Sequence, residues 1–488
     1  MTAKAERSGP WVTLDLATLA FVVRLAVLVY ALAEPCWDGH YYDLGARRIA
    51  AGLGYSEDLI IAGPGGIERV VWSPWAHYPV GYSGFLALFF KVLGGGLAVA
   101  PLANALTGGA LVAVVHRLAM HVFKSDRRAI VAALLVALHP GLVLYSGALM
   151  TEPLAALGML AAVLAVVADR NAWRGAAIAG VLLGLTTLVR PNALLLAPFL
   201  PFLAPKSPRP STLARRFVAL GGRGVVVAAL TFATVMPWTL RNCRVMDQCA
   251  LVSTNAGWNL VIGAAPGATG KFEFLVGHTP EGAPACDEGG QVAQDRCWWR
   301  YGVSIIRRDL GRWLSLVPAK LHYTFDAEWF PINYLREARP DLVSASTHVA
   351  WGRALTIVNH ALIVAAAVAG LGRRGVRGEA LGKATQLVLA AAIVALAAYG
   401  LQLATPIVWP MAVIAGALPF VPLPGAPRRS PALIGVAAII VGTLVTHAIF
   451  FGEDRYHLVA TPAFAILAAG LARTSERRAL TVRETIRT

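Results

Sequence analysis

The chain alternates between long apolar runs and short polar connectors. Runs of roughly 18 or more apolar residues recur along it, and a helix of that length crosses the hydrocarbon core of a bilayer. The runs are continuous rather than amphipathic, which argues against one large soluble core. The pattern predicts an all-α polytopic membrane protein with about twelve spans, at residues 11–33, 98–120, 127–147, 150–168, 174–190, 191–204, 223–241, 349–371, 381–402, 404–423, 431–451 and 457–472.

Two longer polar segments interrupt the alternation, at residues 34–97 and 242–348. The first contains one short apolar stretch, 78–96, with Lys91 inside it. We expect that stretch to lie in the membrane interface or to dip partly into the membrane. The second segment is too long for a structureless connector, so we expect a small folded cap over the bundle. This organisation divides the chain into an N-terminal transmembrane module (1–241), the cap, and C-terminal transmembrane helices with a basic tail (349–488).

Composition supports a membrane protein and orients it. The chain is 57% hydrophobic and 14% charged, with a formal net charge of +16. Its basic residues cluster in short connectors, at 124–128, 169–174, 205–216, 372–378, 426–430 and the tail from 473. Such clusters are typical of cytoplasmic loops, so they do not indicate nucleic-acid binding. We predict an inner-membrane protein with both termini in the cytoplasm, whose first apolar run is a retained signal anchor.

The cysteines agree with this orientation. All five (Cys36, Cys243, Cys249, Cys286 and Cys297) lie in segments predicted on the outer side, where disulfides persist. Close spacing favours Cys243–Cys249 and Cys286–Cys297, with Cys36 left over. Five free thiols remain an alternative, whereas no spacing typical of metal ligands accompanies them.

Ionisable residues at membrane depth or at its edge are candidates for function. Five distant places supply such residues at the predicted outer face: Asp38 and Asp43, Glu152, Arg190, Arg241, and Arg455 with His457. Arginine matches phosphate oxygens, and a carboxylate can take a proton from an attacking hydroxyl. This combination suits transfer of a group from a lipid phosphate to an alcohol or amine.

Structural roles remain open for each of these residues. Asp38 is also suited to cap a helix, and Asp43 to pair with Arg47 on a helix surface. Glu152 is also suited to a first helical turn, and Arg190 to snorkelling at a helix end.

Other polar and aromatic residues allow more than one reading. Arg24 either lines the bundle interior or offsets helix polarity, and His139 fits a structural role better than a ligand role. The tryptophans at 72, 75, 298 and 299 fit interfacial belts or cap packing better than sugar platforms.

Short blocks along the chain resemble the bacterial family 39-like glycosyltransferases, of the protein mannosyltransferase and aminoarabinose transferase type. The blocks are "WDGHYYDLGARRIAAGLGY", "HYPVGYSGFLALFFKVLGG", "YSGALMTEPLAAL", "LVRPNALLLAP", "PWTLRNCRVMDQCALVSTNAGWNLVIGAAPGATGKF" and "GEDRYHLVATPAFAILAA". The resemblance implies a GT-C fold with its catalytic residues in the N-terminal module. It also implies a polyprenyl-phosphate-linked sugar donor.

The resemblance assigns roles to individual residues. Asp38 takes the place of the general base, and Glu152 that of the second-loop acid. Arg190 and Arg455 stand where basic residues of the family contact the donor phosphate. We also expect donor phosphate contacts for Arg241 and His457, and substrate-groove positions for Tyr42, His77, Tyr78 and Asn255. The usual acidic neighbour of the aspartate is Gly39 here. Relatives that use lipid monophosphate donors generally need no metal, so we expect neither metal nor cofactor.

The implied reaction transfers a monosaccharide, with inversion, to a lipid, glycan or protein acceptor on the extracytoplasmic face. A transporter or flippase of a lipid-linked sugar is the alternative from another class. Against it, the sequence shows no inverted repeat and no paired broken helices at mid-membrane. A polymerase or ligase with a diphosphate-linked donor is a third reading, which a strict metal requirement would favour.

Overall fold

The computed structural model describes residues 9–62, 68–204, 212–273, 283–286, 289–372, 391, 407–421 and 430–472, and most of them are helical. The helices are α1 (Pro10–Ala31), α2 (Asp38–Ala50), α3 (Val80–Leu93), α4 (Val99–Phe123), α5 (Asp126–Ala137), α6 (Pro140–Leu144), α7 (Glu152–Ala168), α8 (Ala172–Val189), α9 (Leu200–Leu203), α10 (Leu213–Val245), α11 (Ala256–Ile262), α12 (Gln291–Arg308), α13 (Leu310–Ser315), α14 (Val317–Phe325), α15 (Phe330–Ala338), α16 (Ala345–Gly372), α17 (Trp409–Ala417), α18 (Pro431–Ile449) and α19 (Thr461–Ala468). Short 3₁₀ turns occupy Pro191–Leu196, Tyr456–Val459 and Ala469–Leu471.

The predicted helical membrane architecture is confirmed. Within the described part of the chain, 6 helices are long and apolar enough to cross a membrane: Pro10–Ala31, Val99–Phe123, Ala172–Val189, Leu213–Val245, Ala345–Leu371 and Pro431–Ile449. Shorter apolar helices occupy Val80–Leu93, Glu152–Ala168 and Thr461–Leu471. The predicted number of about twelve spans is not confirmed.

Prolines account for two departures from the predicted spans. The predicted span 127–147 divides into α5 and α6, with Pro140 at the first position of α6. The predicted span 191–204 consists of a 3₁₀ turn that starts at Pro191 and the four-residue α9. Proline disfavours helical geometry in the residue before it, so a helix tends to end there. The predicted span 381–402 lies outside the described residues except for 391, and 404–423 is described only in part.

A two-stranded antiparallel hairpin follows α2. Its strands are β1 (Ser56–Ala62) and β2 (Glu68–Pro74), in a register that runs from Ser56↔Pro74 to Ala62↔Glu68. The hydrophobic pattern predicts an interfacial helix in this outer segment but no strand. Apolar, largely β-branched runs on both sides of Gly63–Pro64–Gly65–Gly66 were the available signal for a hairpin.

Arg24 lies in the bundle interior and its charge also faces the carbonyl end of a helix, so both expected roles of this residue are present. Its guanidinium is buried and donates to the carbonyl oxygens of Ala137 at 3.2 Å and Val136 at 3.3 Å. These carbonyls end α5 and have no partner within that helix, so a cation is favourable there. The side chain passes Gly108, where any Cβ atom would overlap with the guanidinium.

The outer segment between α10 and α16 is folded where the structure describes it. Both expected disulfides are present, Cys243–Cys249 and Cys286–Cys297, and Cys36 is free. Trp298 packs with Val261, Ile262 and Phe451 in a small apolar core. Helices α14 and α15 instead contribute Phe325 and Tyr334, among others, to the main core of the bundle.

Candidate active site

Asp38 is the first residue of α2, where a carboxylate interacts favourably with the helix dipole. Its Oδ1 atom accepts a hydrogen bond from the Tyr78 hydroxyl at 2.7 Å. Its Oδ2 atom lies 2.6 Å from an Arg455 guanidinium nitrogen. The preceding Trp37 has φ 51°, which is uncommon for a residue with a side chain. Edge contacts from the Trp37 ring to Phe330 and Tyr334 hold it there.

Arg455 is the centre of the site. Its Nε atom lies 2.6 Å from the Glu453 carboxylate, and its guanidinium lies over the rings of Phe330 and Tyr456 at 5.0 and 5.1 Å. The Arg455 side chain is 13% exposed. Arg455 therefore joins Asp38 near the start of the chain to the loop before α19.

A second ion pair lies beside the first. Arg190 donates to Glu152 at 2.6 Å and to the Thr151 hydroxyl at 3.0 Å. The Arg190 guanidinium also lies 5.2 Å from the centre of the Tyr456 ring, so both arginines share this ring. We call Asp38, Glu152, Arg190, Glu453, Arg455 and Tyr456 the carboxylate–arginine cluster.

The electrostatics of the cluster differ between its carboxylates. Burial raises the pKa of Asp38, but the Arg455 charge and the Tyr78 hydrogen bond outweigh burial and hold it below its usual value. Burial raises the pKa of Glu453 to about 7, against the opposing effect of Arg455. The pKa of Arg455 lies well above its usual value because the neighbouring carboxylates outweigh burial. Asp38 and Arg455 are thus a stable ion pair near neutral pH, whereas Glu453 titrates there.

Three of the four predicted groove residues pack on or beside the cluster. Tyr78 bonds Asp38 directly. Tyr42 is buried against Tyr78 and Tyr82, with ring centroids 5.4 and 5.2 Å apart. The His77 ring packs edge-on against the Tyr78 ring, with the ring centroids 4.9 Å apart. Asn255 precedes α11 and accepts a hydrogen bond from Ser253 at 3.0 Å, without a contact to the cluster.

Arg241 and His457 instead donate to backbone carbonyl oxygens of residues outside the cluster. Arg241 donates to the carbonyl oxygens of Trp75, at 3.0 Å, and Tyr55, and so ties α10 to the open end of the hairpin, where β1 begins and β2 ends. His457 is fully buried and its Nδ1 donates to the carbonyl oxygen of Thr324 at 2.9 Å. Its Nε2 lies 3.6 Å from Glu328.

Sequence reasoning missed Glu453 and Tyr456, although both stand in the "GEDRYH" stretch that supplied Arg455 and His457. A carboxylate two residues from an arginine is common in a surface turn, so the pattern carried no specific signal. Asp43 pairs with Arg47 at 2.5 Å, as its helical spacing predicted.

Close packing against neighbouring side chains explains why a glycine occupies position 39. A Cβ atom at this position would lie 2.6 Å from the Tyr334 hydroxyl and 3.3 Å from Leu149 Cβ. A second carboxylate directly after Asp38 therefore does not fit this backbone. Among the described residues, no group of three His, Cys, Asp or Glu side chains is arranged to hold a metal ion.

Residues 77–238 match the model of the family described as dolichyl-phosphate-mannose-protein mannosyltransferase. This range includes Tyr78, Glu152 and Arg190 but neither Asp38 nor Arg455. A search of curated proteins found no match.

Two kinds of solved structure are similar to this chain. One is the Archaeoglobus fulgidus oligosaccharyltransferase tethered with an acceptor peptide, at 15% identity and a TM-score of 0.44, covering 94% of this chain and 49% of that one. The other is ArnT from Cupriavidus metallidurans bound to undecaprenyl phosphate, at 16% identity and a TM-score of 0.36, covering 94% of this chain and 78% of that one. The chain spans about half the length of the oligosaccharyltransferase. The family match over residues 77–238 confirms the predicted resemblance to the protein mannosyltransferase type.

Proposed function

We propose that the protein is a membrane glycosyltransferase that moves a monosaccharide from a polyprenyl-phosphate donor to an acceptor on the extracytoplasmic face. The observation that carries this proposal is the convergence of Asp38, Glu152, Arg190 and Arg455 from four distant segments. The family match supports the same donor class, because its description names a lipid-phosphate mannose. The basic connectors support an inner-membrane location with cytoplasmic termini.

The donor phosphate binds to the arginines in this proposal. Arg455 and Arg190 each present a guanidinium to one shared ring, Tyr456, so a phosphate above that ring would meet both charges. Their fixed positive charge stabilises the leaving phosphate as the bond to the sugar breaks. Glu152 and Thr151 orient Arg190 through the hydrogen bonds that it donates to them.

Asp38 is the proposed general base. The acceptor hydroxyl or amine gives its proton to Asp38 while it attacks the anomeric carbon from the face opposite the phosphate, which inverts that carbon. Such a base contributes about 10²–10⁴-fold to the rate. Tyr78 and Arg455 hold the carboxylate in place from both of its oxygens. In this proposal Tyr42 and His77, which both pack on Tyr78, belong to the substrate groove beside Asp38.

The experiment compares envelope glycans and glycolipids by mass spectrometry in a strain that lacks the gene. The strain is complemented with wild type, with Asp38→Asn or with Asp43→Asn at matched membrane levels. Asp43 is the control because it lies on the same helix and pairs with Arg47 outside the cluster.

We expect one glycoform to disappear on deletion and to return with wild type and Asp43→Asn but not with Asp38→Asn. The mass difference identifies the sugar class. Full restoration by Asp38→Asn would show that Asp38 is not the base and would favour the transporter alternative. An unchanged glycan profile after deletion would refute the proposed function.

A further inference from the structure

The charges in the carboxylate–arginine cluster do not balance. Two guanidinium groups, Arg190 and Arg455, face three carboxylates, Asp38, Glu152 and Glu453. With every group ionised, the cluster carries one excess negative charge before any ligand arrives.

The proposed donor adds a further anion. A polyprenyl phosphate linked to a sugar is a phosphodiester with one negative charge. Four anions would then share two cations in a site with little solvent, where like charges repel strongly. The site can accept the donor only if one carboxylate leaves or takes up a proton. This argument rests on the proposed function.

Glu453 is the carboxylate held least firmly. Asp38 has hydrogen bonds to both of its oxygens, and Glu152 accepts from Arg190 at 2.6 Å with its side chain 1% exposed. Glu453 lies 2.6 Å from Arg455 Nε, but without the alignment of a hydrogen bond, and its side chain is 23% exposed. It can therefore lose its charge at a smaller cost than the other two.

The groups around Glu453 also favour its protonated form. The charged groups that influence it are Arg455 and Asp454 on its own loop, Asp38 on α2 and Glu152 on α7. The three carboxylates and burial together outweigh Arg455 and raise the pKa of Glu453 to about 7. Asp454 itself is turned away and accepts backbone hydrogen bonds at the start of α15.

We propose that Glu453 takes up one proton when the donor phosphodiester binds to Arg455, so that donor binding and protonation of Glu453 are one coupled step. Protonation releases the Nε side of the guanidinium for the phosphate and restores the charge balance of the site. Arg455 keeps its pairing with Asp38 throughout. Glu453 is thus a donor-binding residue that favours binding at lower pH.

The test measures binding of polyprenyl methyl phosphate to the purified full-length protein in lipid nanodiscs. This probe is a diester, so its phosphate keeps a single charge and does not itself titrate near neutral pH. Affinity is measured by intrinsic tryptophan fluorescence from about pH 5.5 to about pH 8.5, and proton uptake by calorimetry in buffers of different ionisation enthalpy. The proteins are wild type, Glu453→Gln and, as a control on the same helix as Asp38, Asp43→Asn.

For wild type we expect the dissociation constant to rise about tenfold per pH unit above the pKa of Glu453, and about one proton to be taken up per ligand at the alkaline end. Asp43→Asn should behave in the same way. Glu453→Gln should keep the acid-side affinity at every pH and take up no proton. A pH-independent dissociation constant in wild type, or an unchanged slope in Glu453→Gln, would overturn the coupling alone. Failure of wild type to bind the diester at any pH would overturn the proposed donor class as well.

Proton uptake by wild type needs no variant, so it tests the coupling even if Glu453→Gln does not fold.

Discussion

Gly39 offers a sharp test of the packing around Asp38. Gly39→Ala adds one methyl group, whose carbon would lie 2.6 Å from the Tyr334 hydroxyl, whereas ordinary contacts lie at 3.4–4 Å. Tyr334 cannot retreat freely, because its hydroxyl accepts a hydrogen bond from the Cys36 amide at 3.1 Å and its ring packs on Trp37. Overpacking of this kind costs about 1–3 kcal/mol.

Gly84→Ala is the matched control. Gly84 lies within α3, and a Cβ atom there would meet nothing within 4 Å. Both substitutions gain about 0.5–1 kcal/mol from the lower chain entropy of alanine in a helix, so that gain cancels in the comparison. Gly39→Ala should therefore be less stable than Gly84→Ala by about 1–3 kcal/mol. Reversible unfolding in a titration with sodium dodecyl sulfate, followed by tryptophan fluorescence, gives this difference.

A double variant separates the clash from other causes. Tyr334→Phe removes the oxygen that the new methyl group would meet, so Gly39→Ala should cost less in that background than in wild type. Equal stability of Gly39→Ala and Gly84→Ala would refute the packing argument. Additive effects of Gly39→Ala and Tyr334→Phe would show that the two positions do not interact.

Three further predictions concern stability and redox state. Because the pKa of Glu453 is about 7 in the folded protein and about 4.5 in the unfolded chain, wild type should lose about 3 kcal/mol as the pH rises through this window. Glu453→Gln should lack that loss, which unfolding titrations on either side of the window will show. Arg24→Met leaves two buried carbonyl groups at the end of α5 without a donor, and should lower stability by about 2–3 kcal/mol in the same assay. Alkylation without reductant should modify Cys36 alone. Cys297→Ser breaks the disulfide to Cys286 and should lower the free energy of unfolding by about 2–4 kcal/mol. Alkylation of all five cysteines before reduction would contradict the disulfides.

The members of the site were partly predictable because charge is expensive in a membrane. That cost identified Asp38, Glu152, Arg190 and Arg455, which the structure joins as two neighbouring ion pairs. The same reasoning selected Arg241, whose guanidinium binds backbone carbonyls at the hairpin. Sequence alone does not distinguish a cation that satisfies the backbone from one that faces a substrate, because both need the same residue type.

The fold was predictable where hydrophobic length decides it and less so where local geometry does. Continuous apolar runs identified α1, α4 and α8 as membrane helices. The hairpin was missed because its strands, of 7 residues each, are much shorter than a membrane span and lie in a segment that the basic loops placed outside the membrane. The two disulfides could be predicted because close spacing, and a common side of the membrane, restrict which cysteines can pair.

The position of Arg455 in the chain has a consequence for biogenesis. Its partner Asp38 lies 417 residues earlier, and α19, which follows Arg455, is buried along its whole length. A ribosome delivers α19 after nearly all of its neighbours, so the nascent bundle must keep a space for it or open to admit it. Contacts this distant form late in folding. The candidate site therefore cannot form on an unfinished chain, and a stalled or truncated product would lie in the membrane without the Asp38–Arg455 pair.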